Sequence, residues 1–520
     1  MHRIFIYLIP ALICLCAAQS LGQEKSNLVN RLVHQADSLL SRHLVSEAEN
    51  TYRAALKEDP KCTGALMGLG KSEMAGRSWG NAIDWFQQAA AVDTGNLAAK
   101  YWMGVSYGER GIARYMLEKV LKIFAENSFE KARAALGWVL ERDSTYSDAL
   151  LQIAISYVYE HDYAAAVPLA LRQIHLTPGL RNAHTGFYKI VREAIGTHDG
   201  TATPRWMSLP LQSYGRFVDA EWERRRGRLI EAEFILNELL PNPGLVRRPM
   251  ILQTLAKVKA RLGQTGETEQ LALEAINNIR TLGDADLIFE DTKYIFTDDE
   301  LKTYRALRTG TGAKNFFTTF WTKRNPYPAE QSNERIAEHY KRLVYAEKWF
   351  DQFGRRTFSE ETMPLNFPEA YFVNEEFNDK GIIYLRHGEP HQKIITPRIG
   401  NGPAPSNETW IYHATDEYPP MLFDFIVPIG GHITEWRLTP VLSAPEMWED
   451  RVEYSPAYLR LVQSQSAAGM YQNLSRATDE GKEMVSLGTS SDRYSYTKEL
   501  KYYESPISLT CFRGGTARRL

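Results

Sequence analysis

Along the first third of the chain, apolar and small positions recur every 34 residues. Ala36, Gly70 and Gly104 fall at that interval, as do Ala48 and Ala82, the rings Tyr52 and Phe86, Ala55 and Ala89, and Asp59 and Asp93. Several columns on one period predict stacked antiparallel helical hairpins. Small residues let two helices approach, the ring plugs the gap to the next hairpin, and Pro60 stops the second helix. The third repeat departs from the pattern, because its second helix (Ala132, Leu136, Val139, Asp143) comes late, after GIARYMLEKVLKIFAEN, whose apolar spacing predicts an inserted helix. A fourth unit carries Leu150, Ile153, Ala154, Tyr157, Ala166 and Pro178. Looser hairpins are predicted at 217–240 and 250–280, each with a glycine in its turn. Between glutamates 221, 223 and 231, the basic run Arg224, Arg225, Arg226, Gly227, Arg228 reads as a solvated helix face.

Over residues 29–110 this spacing resembles the tetratricopeptide repeat, which implies an α-solenoid of helical hairpins over residues 24–281. The resemblance implies a concave groove for a protein or peptide partner. Trp85, Tyr101, Trp102 and Tyr107 are the candidate contacts, with core packing as the competing role for each.

From about residue 282 the texture changes. A helix is predicted after Ser332 as N-cap, with Glu334 in its first turn and a stripe of Ile336, Tyr340, Leu343, Val344 and Phe350. Glu338, His339, Arg342 and Glu347 on that helix read as a solvated face. Five β-rich runs come next, GIIYLR, HQKIIT, ETWIYH, MLFDFIV and HITEWRL, separated by turn formers. A smaller α+β domain with an antiparallel sheet is therefore expected over residues 282–440, with a boundary near residue 282.

Residues 286–440 resemble the GWxTD-domain family of exported bacterial proteins. Phe320, Trp321, Arg324, Asn325, Pro326 and Pro328 match its opening signature, Asn333, Glu334, Tyr345 and Ala346 its helix, and Asp379, Lys380, Gly381, Gly388 and Pro390 its later strand and turn. Glu375 and Glu376 stand where the name-giving Gly-Trp is expected, and Asn325 replaces the usual aspartate. The resemblance implies no particular chemistry.

One string suggests catalysis. IIYLRHGEP is similar to the strand and loop that open histidine phosphatases, where Arg386 would grip phosphate, His387 would be the nucleophile and Glu389 would complete the loop. Against this, the sequence beyond it is β-rich without the alternating helices of a doubly wound body, and His391, His413 and His432 lie in no convincing catalytic turn. A Gly-x-Ser-x-Gly elbow, a phosphate-binding glycine loop, His-Glu-x-x-His and Cys-x-x-Cys are all missing from the sequence. A hydrolase or phosphatase is thus the alternative to a non-catalytic binding scaffold.

Composition narrows the partners. Lys plus Arg (61) nearly balances Asp plus Glu (63), so the basic footprint of a dedicated nucleic-acid binder is missing. Residues 1–23 join Arg3 to an apolar run from Ile4 to Ala18 and then small residues. That pattern predicts a signal peptide and an exported, periplasmic or extracellular protein without a membrane span in its mature part. After cleavage Cys62 and Cys511 remain, too few for a disulfide scaffold or a metal site, and no metal or cofactor is expected. The pattern sets no oligomeric state. Residues 441–520 read as a short helix and then an incomplete β-rich region, poorly ordered from about residue 480, in a chain expected to be truncated.

Overall fold

The 34-residue columns become the seams between helices. The computed structural model describes residues 23–120, 127–196, 213–326, 332–352, 365, 367–396, 406–415, 419–428 and 434–492. The packing forms two units, Met1–Ala194 and Ile195–Leu520. In the first, α1 (residues 23–41), α2 (Val45–Glu58), α3 (Thr63–Ala75), α4 (Trp79–Val92), α5 (Leu97–Val120), α6 (Ser128–Leu140), α7 (Ala149–Tyr159), α8 (Tyr163–Leu176) and α9 (Ala183–Gly196) succeed one another. Successive helices pair as hairpins. Tyr52 lies over Gly68 and Phe86 over Gly70, so closely that a Cβ at those glycines would fall 2.2 and 2.4 Å from the rings. The signal-peptide residues 1–22 lie outside the described residues.

The third repeat differs from expectation. Its extra residues prolong α5 to 24 residues instead of adding a separate helix, as far as Val120, where the described chain pauses. Gly111 does not break α5, because the Phe129 ring occupies the space its missing side chain leaves.

Among the described residues, the turns of the α1–α2, α3–α4 and α7–α8 hairpins each have a left-handed residue: His43 (φ 61°), Arg77 (φ 58°) and His161 (φ 60°). The same turn recurs in the second unit with glycine, Gly227 (φ 83°) between α10 (Ser213–Arg225) and α11 (Leu229–Leu239), and Gly263 (φ 76°) between α12 (Arg248–Arg261) and α13 (Thr265–Asn277). A side chain in this conformation is strained, so Arg77→Gly should raise stability by about 0.5–1 kcal/mol, seen as a higher melting temperature. An unchanged or lower value would show that the arginine relieves the strain by contacts of its own.

The remaining helices are α14 (Leu282–Thr292), α15 (Asp298–Ala306), α16 (Gly310–Lys323), α17 (Glu334–Trp349), α18 (Asp379–His387), α19 (Pro456–Val462) and α20 (Ala467–Ser490). The expected boundary near residue 282 is not where the packing divides. One apolar cluster joins Leu252 and Ala272 of the hairpins to Phe317, Tyr340, Ile383, Phe423 and Val485, so the last hairpins share a core with the sheet and with α16, α17, α18 and α20. Asn333, not Ser332, immediately precedes α17, and its side chain donates to the Trp321 carbonyl at 2.7 Å instead of capping.

Four of the five β-rich runs are strands: β1 (Gln392–Thr396), β2 (Asn407–Tyr412), β3 (Met421–Ile426) and β4 (Arg437–Thr439), an antiparallel meander in sequence order. The fifth, GIIYLR, is helical. Asn378 caps α18 by accepting the Gly381 N–H at 3.2 Å, and Gly388 at φ 77° ends it. Every residue of α18 is buried, so its apolar run carries no helical period and imitates a buried strand. The C-terminal extension also departs from expectation, since residues 467–490 form one helix and packing continues to Asp492. Residues 493–520, including Cys511, lie outside the described residues.

Candidate protein-binding surface

Asp148, just before α7, organises the polar part of the array. It accepts hydrogen bonds from the Tyr101 hydroxyl, from Gln152 Nε2 at 3.0 Å and from Asn182 Nδ2 at 2.7 Å. Burial, and then the Asp148 charge, push the Tyr101 hydroxyl well above the ordinary tyrosine range, so it stays protonated as a donor. Its ring stands 5.2 Å from Trp102 and 5.4 Å from Tyr146. Lys71 of α3 places its ammonium 5.6 Å from the half-buried Trp102 ring, while Arg142 and Lys100 lie 3.7 and 5.7 Å from Trp138. Partly exposed aromatic faces carrying mobile cations suit contact with a protein chain, because they offer apolar area beside charge.

The four sequence candidates divide. Tyr101 and Tyr107 are core residues at 7% and 8% exposure, and Gln87 Nε2 donates to the Tyr107 hydroxyl at 3.2 Å. Trp85 and Trp102 keep part of their rings at the surface, Trp85 with Arg53 at 5.6 Å. Sequence reasoning missed Lys71, Trp138, Tyr146 and Asp148, although Trp138 and Tyr146 flank the Asp143 column.

The signature residues of the second unit interlock its interior. Phe320 and Trp321 are buried, and Arg324 clasps both Glu300 oxygens at 2.7 and 2.8 Å and donates to the Ile295 carbonyl at 3.1 Å. Asn325 donates to the Ser332 carbonyl at 3.4 Å, Pro326 is half-buried, Glu334 is exposed, and Pro328 lies outside the described residues. Tyr345 stacks on Tyr384 at 4.5 Å, Ala346 is fully buried, and Asp379 accepts the Leu438 N–H at 2.7 Å. Lys380 donates to Glu408 and sits 3.0 Å from the Trp436 ring centroid. Burial lowers its amine to about 8 against the pull of Glu408. A Cβ on Gly381 would meet Phe377 at 2.7 Å, and Pro390 is buried.

The phosphatase-like string does not form a strand and loop. Arg386 and His387 are the last turn of α18, at 0% and 1% exposure, and both are engaged by backbone. Arg386 donates to the Phe296 carbonyl at 2.8 Å, and His387 Nε2 lies 2.7 Å from the Gly488 carbonyl. Glu389 is exposed and pairs with Lys393. His391 and His413 stand 4.9 Å apart, and His432 lies outside the described residues.

Two expected solvated faces are also buried in part. Arg224 pairs with Glu221 and Glu347 at 1% side-chain exposure where α17 covers the start of the basic run, while Arg226 and Arg228 are exposed as expected. On α17 itself His339, Arg342 and Glu347 are enclosed, His339 Nε2 lying 2.7 Å from the Asp291 carbonyl. Among the described residues no group of three His, Cys, Asp or Glu side chains is placed to hold a metal ion, and no helix is long and apolar enough to cross a membrane.

A tetratricopeptide-repeat family model matches residues 34–96. The crystal structure of a tetratricopeptide repeat protein from Parabacteroides merdae is similar at 15% identity and TM-score 0.29, covering 61% of this chain and 99% of that one. The structure of Pseudomonas aeruginosa pilF is similar at 13% identity and TM-score 0.25, covering 49% of this chain and 92% of that one. No curated protein matches the chain.

Proposed function

We propose that the chain is an exported, non-catalytic scaffold whose helical repeats hold a protein or peptide partner at the Trp102 surface. The observation that carries this reading is the half-exposed Trp102 ring, backed by Tyr101 and faced by Lys71, just beyond residues 34–96, which the repeat family matches. Export rests on the charged start, apolar run and small residues of positions 1–23. We read residues 286–440 as a divergent GWxTD-like domain, on the signature residues from Phe320 to Pro390.

Trp102→Ala should weaken capture of the native partner about 30-fold or more, as expected for truncation of an aromatic anchor, and Lys71→Glu should weaken it less. Partners are first identified by photocrosslinking from position 102 in the native cell, then measured by calorimetry. Equal affinity of the Trp102→Ala and parent chains would sink the reading.

A further inference from the structure

Helix α20 encloses few of its residues, and its first half, with Met470, Leu474 and Ala477, packs in a separate apolar cluster with Tyr458 and Leu461 of α19. Only Ala477, Val485, Gly488 and Thr489 of its 24 residues are buried. It approaches its neighbours through two glycines seven residues apart. A Cβ at Gly481 would fall 1.7 Å from the Pro440 carbonyl oxygen, and one at Gly488 would fall 2.2 Å from the Phe423 ring. Glycines inside a helix permit that approach but weaken the helix itself. Three helical glycines, at 469, 481 and 488, leave α20 dependent on tertiary contacts.

The end of the helix is held differently. Asp492 accepts from Arg335 Nη2 at 2.6 Å and from Arg324 Nε at 3.4 Å. Arg386 Nη1 donates to the Ser491 carbonyl at 3.2 Å, and His387 is bonded to the Gly488 carbonyl at 2.7 Å. Carbonyls at a helix C-terminus carry partial negative charge, so cations there add to the grip. The groups around Asp492 are Arg324 at the end of α16, Arg335, His339 and Arg342 of α17, and Arg386 and His387 of α18. Glu300 of α15 and Glu338 of α17 oppose them. Burial would raise the Asp492 carboxyl, but Arg335, Arg324 and Arg342 outweigh it and hold it at about 2. The carboxylate is therefore charged at any physiological pH, so mild acid does not release it.

We propose that α20 is a separable strap, latched at its C-terminal end by the Asp492 clasp, which lifts from β3 and α18 while α12 to α18 stay folded. Lifting uncovers the Phe423 ring and the guanidinium groups of Arg324, Arg335 and Arg386 together. A helix with so few enclosed residues opens at lower free energy than the core between α12 and α17, which is the behaviour of a local unfolding unit.

The test is native-state hydrogen exchange of the full chain. In the unaltered protein, backbone amides of residues 478–490 should exchange at least about 100-fold faster than those of residues 336–346. Asp492→Asn should accelerate the strap amides at least about tenfold and leave the α17 amides within about twofold. One common exchange rate for α20 and α17 in the unaltered chain overturns the proposal. So does a substitution that shifts both regions equally or shifts neither. The comparison within the unaltered chain decides the matter even if the variant fails to fold.

Discussion

Arg224→Met is expected to destabilise the second unit by about 3–5 kcal/mol, because it strips one partner from a buried ion cluster and leaves the acids behind. Arg224 Nε donates to Glu221 at 2.7 Å and Nη1 to Glu347 at 2.7 Å, and all three side chains are enclosed. Burial alone would raise both carboxyls. Arg224 first, and Arg225 after it, pull them below the usual carboxylate range instead. Arg225 is a poorer partner at 3.3 and 3.4 Å from the same two acids, so it compensates in part only. Urea unfolding reads the loss as a lower midpoint at unchanged slope. Adding Glu221→Gln and Glu347→Gln to Arg224→Met should recover some of it, since the amides need no counter-charge. A loss below about 1 kcal/mol would mean that water reaches the cluster and the burial argument fails.

Acid should weaken the same unit well above the carboxylate range. Burial, with Arg335 beside one and Arg386 beside the other, lowers His339 and His387 from an ordinary 6.5 to about 3. Between those values the unfolded chain binds protons that the folded chain refuses, so stability is complete above pH 6.5 and falls as pH drops toward 3. At about 1.4 kcal/mol per pH unit, each imidazole removes about 2 kcal/mol by pH 5, or about 4 kcal/mol for the pair. Asp492, at about 2 against an ordinary 3.8, acts in the same direction only in stronger acid. Asp219 and Asp424, which burial holds above the carboxylate norm, oppose it there. Urea midpoints measured from pH 7.5 to 5 should show the decline, and His387→Asn should remove about half of the slope. A flat profile in the parent chain would contradict the neutral, enclosed state of both rings.

The repeats were legible because their packing is local and periodic. A glycine that must meet the Tyr52 or Phe86 ring leaves a column that recurs, and so does the small residue of the facing helix. The meander was legible for the same reason, from alternation and turn formers. What escaped is long-range burial. Arg224 and Glu347 are 123 residues apart, and nothing near either announces that a helix will cover it. Helix α18 escaped for the opposite reason, since burial on all sides erases the stripe by which a helix is recognised. In the candidate surface, Trp102 was accessible to sequence reasoning as an aromatic on an array helix. The hub at Asp148 was not, because its donors Tyr101, on α5, and Asn182, just before α9, lie 47 and 34 residues away in the chain.

The glycine-lined face of α5 has a mechanical consequence. Gly104 receives Leu136 and Gly111 receives Phe129, each so tightly that a Cβ would fall 2.7 Å from the incoming side chain, and these sit on the longest helix of the array. A chain of nearest-neighbour hairpins melts from its ends as a moving front, and the front stalls where one interface is much stronger than its neighbours. With two such seats on one helix pair, the α5–α6 seam is where unravelling that starts at α1 should halt, which keeps the Trp102 ring in place and loses Lys71 with α3.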